Sequence, residues 1–282
     1  MPAFGDIGKA CKDLLGGFQY DQKVSVGSKT ASGVTFTAKG KKKGEAVDGD
    51  IVAEYKTKGV QLEGTINSSS KLNVTSTFSD LAPGLKCVLS GALPDKDSGK
   101  LAFTYVKDMF TFKGDIGLRG SPKIAANVCA AKDGVAVGGS MAYDSKKGCV
   151  TAVNTGVQYA ASDYTVALDT NLTTDVKVSY MHKVSKELTV GGEIGRKCEK
   201  SAITTAFTIG GQYKLEGGAL TKATLNNSGL LNALYQQELR AKTTGIICAQ
   251  IDTKCLDKGA KFGLELKEQS LQKFLSSVKS LL

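Results

Sequence analysis

Residues 163–195 read DYTVALDTNLTTDVKVSYMHKVSKELTVGGEIG, and one pattern runs through them three times. Tyr164, Val166, Leu168 and Leu172 alternate with Thr165, Ala167, Asp169 and Asn171. Val176, Val178 and Tyr180 then alternate with Asp175, Lys177 and Ser179, and Leu188, Val190 and Ile194 with Glu187, Thr189 and Glu193. A period of two is the signature of a β-strand with two unlike faces. The breaks at Asn171 to Asp175 and His182 to Lys186 are short and polar, so each strand returns antiparallel beside the last. One face is apolar throughout and the other carries charge.

The same pattern extends outward in both directions. Toward the N-terminus it includes Val34, Phe36 and Ala38, then Ile51, Ala53 and Tyr55, then Val60, Leu62 and Ile66, and later Phe110, Phe112 and Ile116. Lys132-Asp133-Gly134 and Pro94-Asp95-Lys96 fall between strands, as hairpin turns should. Toward the C-terminus, Ile203, Phe207, Ile209 and Tyr213 continue it. Between Ala219 and Ile251 the alternation blurs, because Leu230-Leu231 and Ile246-Ile247 place apolar residues on both faces, and Phe262, Leu264 and Leu266 restore it. Pattern alone gives roughly 17 to 20 strands at a spacing of about 13 residues.

Two segments have a different period. Phe4, Ile7, Cys11, Leu14 and Leu15 share one helical face, with Lys9, Lys12 and Asp13 on the other, and Gly16-Gly17 follow as cap and hinge. Over residues 4–15 this predicts a short amphipathic helix. At the other end Leu271, Phe274, Leu275, Val278, Leu281 and Leu282 predict a second one, too short to cross a bilayer and suited to its interface or to a partner. The organisation expected is therefore residues 1–20 as helix and hinge, 21–268 as one β domain, and 269–282 as a helical tail. With 33 glycines, only four prolines and no linker-like stretch, the 282 residues do not divide further.

A formal charge of +10 implies attraction to anions. The basic residues are scattered rather than clustered with stacking aromatics, which argues against nucleic acid as the main ligand. Seven cysteines without CxxC spacing, and one histidine, exclude a zinc site or a disulfide framework as the reading of choice; free thiols are expected. No cofactor, no metal and no catalytic grouping is expected, since there is no phosphate-binding loop and no nucleophile, base and orienter together. His182, beside a turn, reads as an exposed loop residue.

So many antiparallel strands must close, split into two sheets or expose edges. The segments keep close to the 9–11 residues of a tilted membrane strand, and their apolar face is rich in Ala, Gly and Thr, which suits a lipid-facing wall better than a packed core. Lys39, Glu54, Lys56, Glu63, Lys113, Asp115, Lys177 and Glu193 all take the other parity, away from lipid. A lysine facing lipid near the midplane costs about 2–4 kcal/mol, so Val178→Lys is expected to harm assembly more than Ser179→Lys. A closed barrel of this size holds water, and inward lysine and arginine favour anions. Without an apparent secretion signal, the outer membrane of an organelle is expected rather than that of a bacterium.

With those features in place, the chain resembles the voltage-dependent anion channels, the mitochondrial porins, over essentially its whole barrel. The resemblance rests on Gly8-Lys9, Lys12-Asp13 and Gly16-Gly17 in the N-terminal segment, on Gly84-Leu85-Lys86, and on the run Tyr213 to Gly229 with Lys222 and Asn226-Asn227-Ser228. It implies an all-β transmembrane barrel of 19 strands, the first and last paired in parallel, with the N-terminal helix in the lumen. It further implies voltage-gated exchange of ATP, ADP, phosphate, small organic anions and small ions across the mitochondrial outer membrane. The pore-lining residues carried over or read from parity are Lys9, Lys12, Asp13, Lys39, Lys56, Lys86, Lys113, Arg119, Lys177 and Lys222, with Gly16 and Gly17 as hinge. Phe78 stands where animal members often carry a membrane-facing glutamate, and Asn232-Ala233 replaces a glycine-rich stretch, so neither of those functions is transferred. The expected partners are the lipid bilayer, anionic metabolites and nucleotides as permeants, and a second copy or a cytosolic or outer-membrane protein. A protein-import pore of the same barrel family and a soluble β-sandwich binding module are the alternatives; a longer N-terminal extension and an acidic lumen would mark the former.

Overall fold

A computed structural model describes residues 2–171, 175–199, 202–257 and 259–268. A 3-10 turn at Phe4–Asp6 and a helix α1 at Lys9–Leu15 precede the strands. These are β1 (Gln22–Lys29), β2 (Val34–Lys43), β3 (Ala46–Thr57), β4 (Val60–Asn67), β5 (Leu72–Ala82), β6 (Leu85–Leu93), β7 (Lys100–Lys107), β8 (Phe110–Gly117), β9 (Lys123–Lys132) and β10 (Val135–Asp144). They continue as β11 (Cys149–Ala160), β12 (Tyr164–Asn171), β13 (Asp175–Lys183), β14 (Leu188–Glu199), β15 (Ala202–Lys214), β16 (Leu220–Asn226), β17 (Leu230–Arg240), β18 (Thr243–Asp252) and β19 (Lys261–Glu268). The tail, residues 269–282, lies outside the described residues.

Each strand pairs antiparallel with the next, and β1 closes the ring by pairing parallel with β19, from Gln22↔Leu264 to Val26↔Glu268. The seam follows from arithmetic: in an up-and-down sheet with 19 strands, the first and last run the same way. Closure removes the sheet edges that an open array would leave unpaired. The turns obey the local chemistry expected of them. In the hairpin after β9, Asp133 and Gly134 both take positive φ, 50° and 82°, which matches the right-handed twist of the flanking strands.

One face can be followed around the wall through the register. Glu54 lies opposite Glu63, Glu63 opposite Thr75, Thr75 opposite Ser90 and Ser90 opposite Lys100. This is the inner face. On the outer face Ile51, Ile66, Leu72 and Leu93 form one rung, and Ile51, Ile66 and Leu93 are 57%, 54% and 60% exposed. In water such a surface would aggregate; against hydrocarbon it is the stable arrangement. The single closed sheet also disposes of the β-sandwich alternative, which needs two facing sheets.

The rim at which β1 begins, here the proximal rim, carries the β2–β3 hairpin and every second one after it. The opposite, distal rim carries the β1–β2 hairpin and its alternates. Outward aromatics crowd the distal end: Phe36, Tyr55, Tyr105, Phe110, Tyr159, Tyr164, Tyr180 and Tyr213 lie there, against Tyr143 and Phe262 at the proximal end. Aromatic rings of this kind anchor at the membrane interface. His182 belongs to this girdle. It is not a loop residue, because β13 extends through Lys183 and the imidazole stacks on Tyr180 with centroids 6.3 Å apart.

Candidate functional site

The lumen is partly filled by the chain's own N-terminal segment. Its helix is not continuous over residues 4–15, as the periodicity predicts, but breaks at Ile7–Gly8, where Gly8 takes φ +68°. The reason is the wall. Gly8 donates its N–H to Gln158 Oε1 at 2.9 Å, and a Cβ here would lie 3.1 Å from Asp169 Oδ2 and 3.3 Å from Ser179 Oγ. The break lets both halves keep their apolar face against the sheet. The 3-10 turn lies on β9 and β10, and α1 on β13 to β16.

Three apolar contacts hold it. Ile7 is buried with Cys129, Ala136 and Ala167, and Phe4 packs beside them. Cys11 and Leu14 are buried with Met181. Past the helix, Phe18 and Tyr20 pack on Leu234, Ile246 and Cys248. That third contact explains the blurred alternation after Ala219: the inward positions of β17 and β18 are apolar because they meet protein, not water. Tyr20 also donates its hydroxyl to Asn232 Oδ1 at 2.7 Å. Burying Ile7 and Leu14 contributes about 1.5–3 kcal/mol each to docking.

The wall is cut to receive this segment. A Cβ added at Gly156 would lie 3.2 Å from Ile7, at Gly191 2.8 Å from Leu14, and at Gly210 3.0 Å from Leu15. At Gly263 it would collide with the Gln19 carbonyl, where the chain crosses the inside of β19. The paired glycines Gly191-Gly192 and Gly210-Gly211, unusual inside strands, are the sequence signal of this seat; periodicity alone passes over them.

Charge completes the site. Lys222 reaches from β16 to the C-terminal end of α1, donating to the Asp13 carbonyl at 2.6 Å and the Gly16 carbonyl at 3.1 Å, with its Nζ 6.0 Å from the Phe18 ring centroid. A cation there satisfies carbonyls that the helix leaves open and meets the negative end of its dipole. Gly16 ends the helix with its N–H on the Lys12 carbonyl, and Gly17 turns with φ +90°. Lys177 lies opposite Asp169 and pairs with Glu193 at 3.2 Å, so its charge is largely offset. Lys12 and Lys177 line, with Asp169, Asn154 and Asn171, a cavity of about 510 Å³ beside the segment. Lys9 pairs loosely with Asp6, at 3.7 Å, and Lys9, Lys12 and Asp13 are exposed to the lumen.

Of the remaining expected positions, Lys39, Lys56, Lys86 and Lys113 lie on the wall that the segment leaves uncovered, and Arg119 does not. Lys86 and Lys113 share a rung through Thr104, Lys39 lies opposite Asp50, and Lys56 opposite Gln61. Arg119 is beyond the end of β8, in the turn to β9, where Nε donates to the Ser121 carbonyl at 3.1 Å. Burial pushes the Cys11 thiol up, and the nearby Glu193 carboxylate adds to this. Lys222→Met is expected to weaken docking by about 1.5–3 kcal/mol, the worth of a hydrogen bond to a charged group. Faster alkylation of Cys248, beneath Phe18 and Tyr20, would report it.

A closed ring with an apolar exterior, a charged interior and a seated N-terminal segment agrees with the comparison against known families, in which the eukaryotic porin family matches residues 1–263. The chain belongs to that family. Porins are channels, and the relatives of this porin carry the same name. It is 34% identical over 267 residues to the mitochondrial outer membrane protein porin of 34 kDa from Solanum tuberosum, covering 93% of this chain and 96% of that one. Mitochondrial outer membrane protein porin 1 of Oryza sativa subsp. japonica is 34% identical over 264 residues, with the same coverage. An outer plastidial membrane protein porin from Pisum sativum is 31% identical over 267 residues, again at 93% and 96%. Among solved structures, a mutant of the Rh. blastica porin overlaps at a TM-score of 0.47 with 10% identity, covering 83% of this chain and 94% of that one.

Proposed function

We propose that this porin is a voltage-gated, anion-preferring diffusion pore of the mitochondrial outer membrane, passing ATP, ADP, phosphate, small organic anions and small ions. The location is that borne by the names of its potato and rice relatives. The observation that carries the anion preference is the placement of Lys39, Lys56, Lys86 and Lys113 on the uncovered inner wall, facing the exposed Lys9 and Lys12 across the lumen. Taken singly, lysines act there as hydrated point charges that attract a phosphate without holding it, as conduction requires.

Of the other positions, Lys177 and Lys222 serve the seat more than the permeant, because acid or carbonyl oxygens occupy both. Gly16 and Gly17 are the joint about which α1 would leave the wall. Gating is then a change in the seating of the N-terminal segment, which moves Lys9, Lys12 and Asp13 within the lumen. Reconstitution into planar bilayers tests this reading. The native chain is expected to conduct, to prefer anions and to close at high voltage of either sign. Lys9→Glu with Lys12→Glu is expected to reduce the anion preference at unchanged insertion; an unchanged preference would remove these residues from the permeation path.

A further inference from the structure

The lysines of the seam region do more than colour the lumen with charge. Lys23 on β1 and Lys41 on β2 are directly opposed, and like charges so placed destabilise a sheet. Lys39 and Lys43 flank Lys41 on the same face of β2. Lys39 lies opposite Ser25, whose partner across the parallel seam is Lys267. Lys23, Lys39, Lys41 and Lys267 line a cavity of about 340 Å³, with Asp50 and Glu265 as the acids among its walls.

An oxyanion already occupies part of this cluster. Asp21, the last residue before β1, places Oδ2 2.9 Å from Lys41 Nζ. Its carboxyl is held below the usual range, first by the hydrogen bond from Lys41 and then by the charges of Lys41, Lys43 and Lys23. Three cations therefore act on the Asp21 carboxylate with room beside it. Asp48 lies opposite Lys41 and Asp50 opposite Lys39, and Glu265 already pairs with Lys267 at 3.3 Å, which leaves Lys23 and Lys43 as the cations of the cluster with most charge to spare. Alternate residues of a strand are about 6.8 Å apart, a span that a di- or triphosphate covers and a single phosphate does not.

We propose that Lys23, Lys39, Lys41 and Lys43 form a docking site for polyphosphate at the proximal mouth of the pore. Asp21 is its internal competitor, released when the ligand takes Lys41. The site rests on the pore reading, and it names di- and triphosphate groups as the class of permeant that pauses there. Because Asp21 ties the foot of the N-terminal segment to the wall, occupancy also loosens that attachment.

The test is block of single-channel current by sodium triphosphate in planar bilayers holding the full chain. Native channels are expected to show block at millimolar triphosphate, and Lys23→Gln, Lys41→Gln and Lys43→Gln together to weaken it by about tenfold. Asp21→Asn, which removes the competitor, is expected to strengthen block by about threefold. Lys100→Gln with Lys123→Gln, at the same rim but in ion pairs with Asp115 and Asp144, should leave it within about twofold. Equal block in the native chain and the triple variant would overturn the site. So would the absence of block in native channels that still prefer chloride, an outcome that leaves the pore reading standing. Absence of any salt current would instead overturn the pore reading. Should the triple variant fail to insert, unchanged block in Asp21→Asn decides against the site.

Discussion

Ile7→Asp with Leu14→Asp frees the N-terminal segment, and Cys129 in a single-cysteine background then reacts with maleimide about a hundredfold faster than in the native seat. Ile7 and Leu14 are 2% and 4% exposed, and Cys129, beneath Ile7, is 1% exposed. The substitution gives up about 1.5–3 kcal/mol of apolar burial at each position and adds the cost of an unpaired carboxylate. The barrel wall itself is untouched. Cys248 then locates the joint: slow alkylation there with fast alkylation at Cys129 places the hinge at Gly16-Gly17, and fast alkylation at both means that the segment leaves as one piece. Cys11 adds a pH signature. Its thiol pKa is raised in the seat, so it stays protonated and unreactive to higher pH, and undocking shifts the onset of alkylation downward. Unchanged Cys129 reactivity would mean that apolar contact does not hold the segment.

Val178→Lys blocks assembly of the barrel. Val178 projects outward from the middle of β13, 44% exposed, and a lysine at that depth costs about 2–4 kcal/mol. Ser179→Lys, the natural inward control from parity alone, is not neutral: Ser179 is 3% exposed and lies beneath Gly8, so a lysine there evicts the segment. Thr75→Lys is the proper control, on the uncovered wall opposite Glu63 and Ser90, where its charge has water and an acid beside it. After refolding into lipid, Val178→Lys should be extracted by alkaline carbonate while Thr75→Lys stays in the membrane. Equal loss in both would overturn the assignment of faces.

The wall was legible because a strand with one face in lipid and one in water writes its orientation into every second residue. Asp169, Lys177 and Glu193 could be placed inward from parity, and the register places them there. What parity misses is the third environment, the strip of inner wall that meets protein. Leu234, Ile246 and Cys248 blur the alternation for that reason, and Gly156, Gly191, Gly210 and Gly263 read as loosened strand until the segment is laid across them. Periodicity likewise sees one helix over residues 4–15, since it reports a shared face and not the Gly8 break that fits this face to a curved wall. Lys222 is distinguishable from Lys86 only in three dimensions: both are inward lysines, but one meets the open end of a helix.

The most direct test of an anion-preferring pore is the reversal potential of the native chain in a planar bilayer under a tenfold potassium chloride gradient. Inward lysines on the uncovered wall require a potential displaced toward that of chloride, and Lys86→Glu with Lys113→Glu should move it toward zero or beyond. A native potential displaced toward potassium, or one that the paired substitution leaves unchanged, would contradict the account.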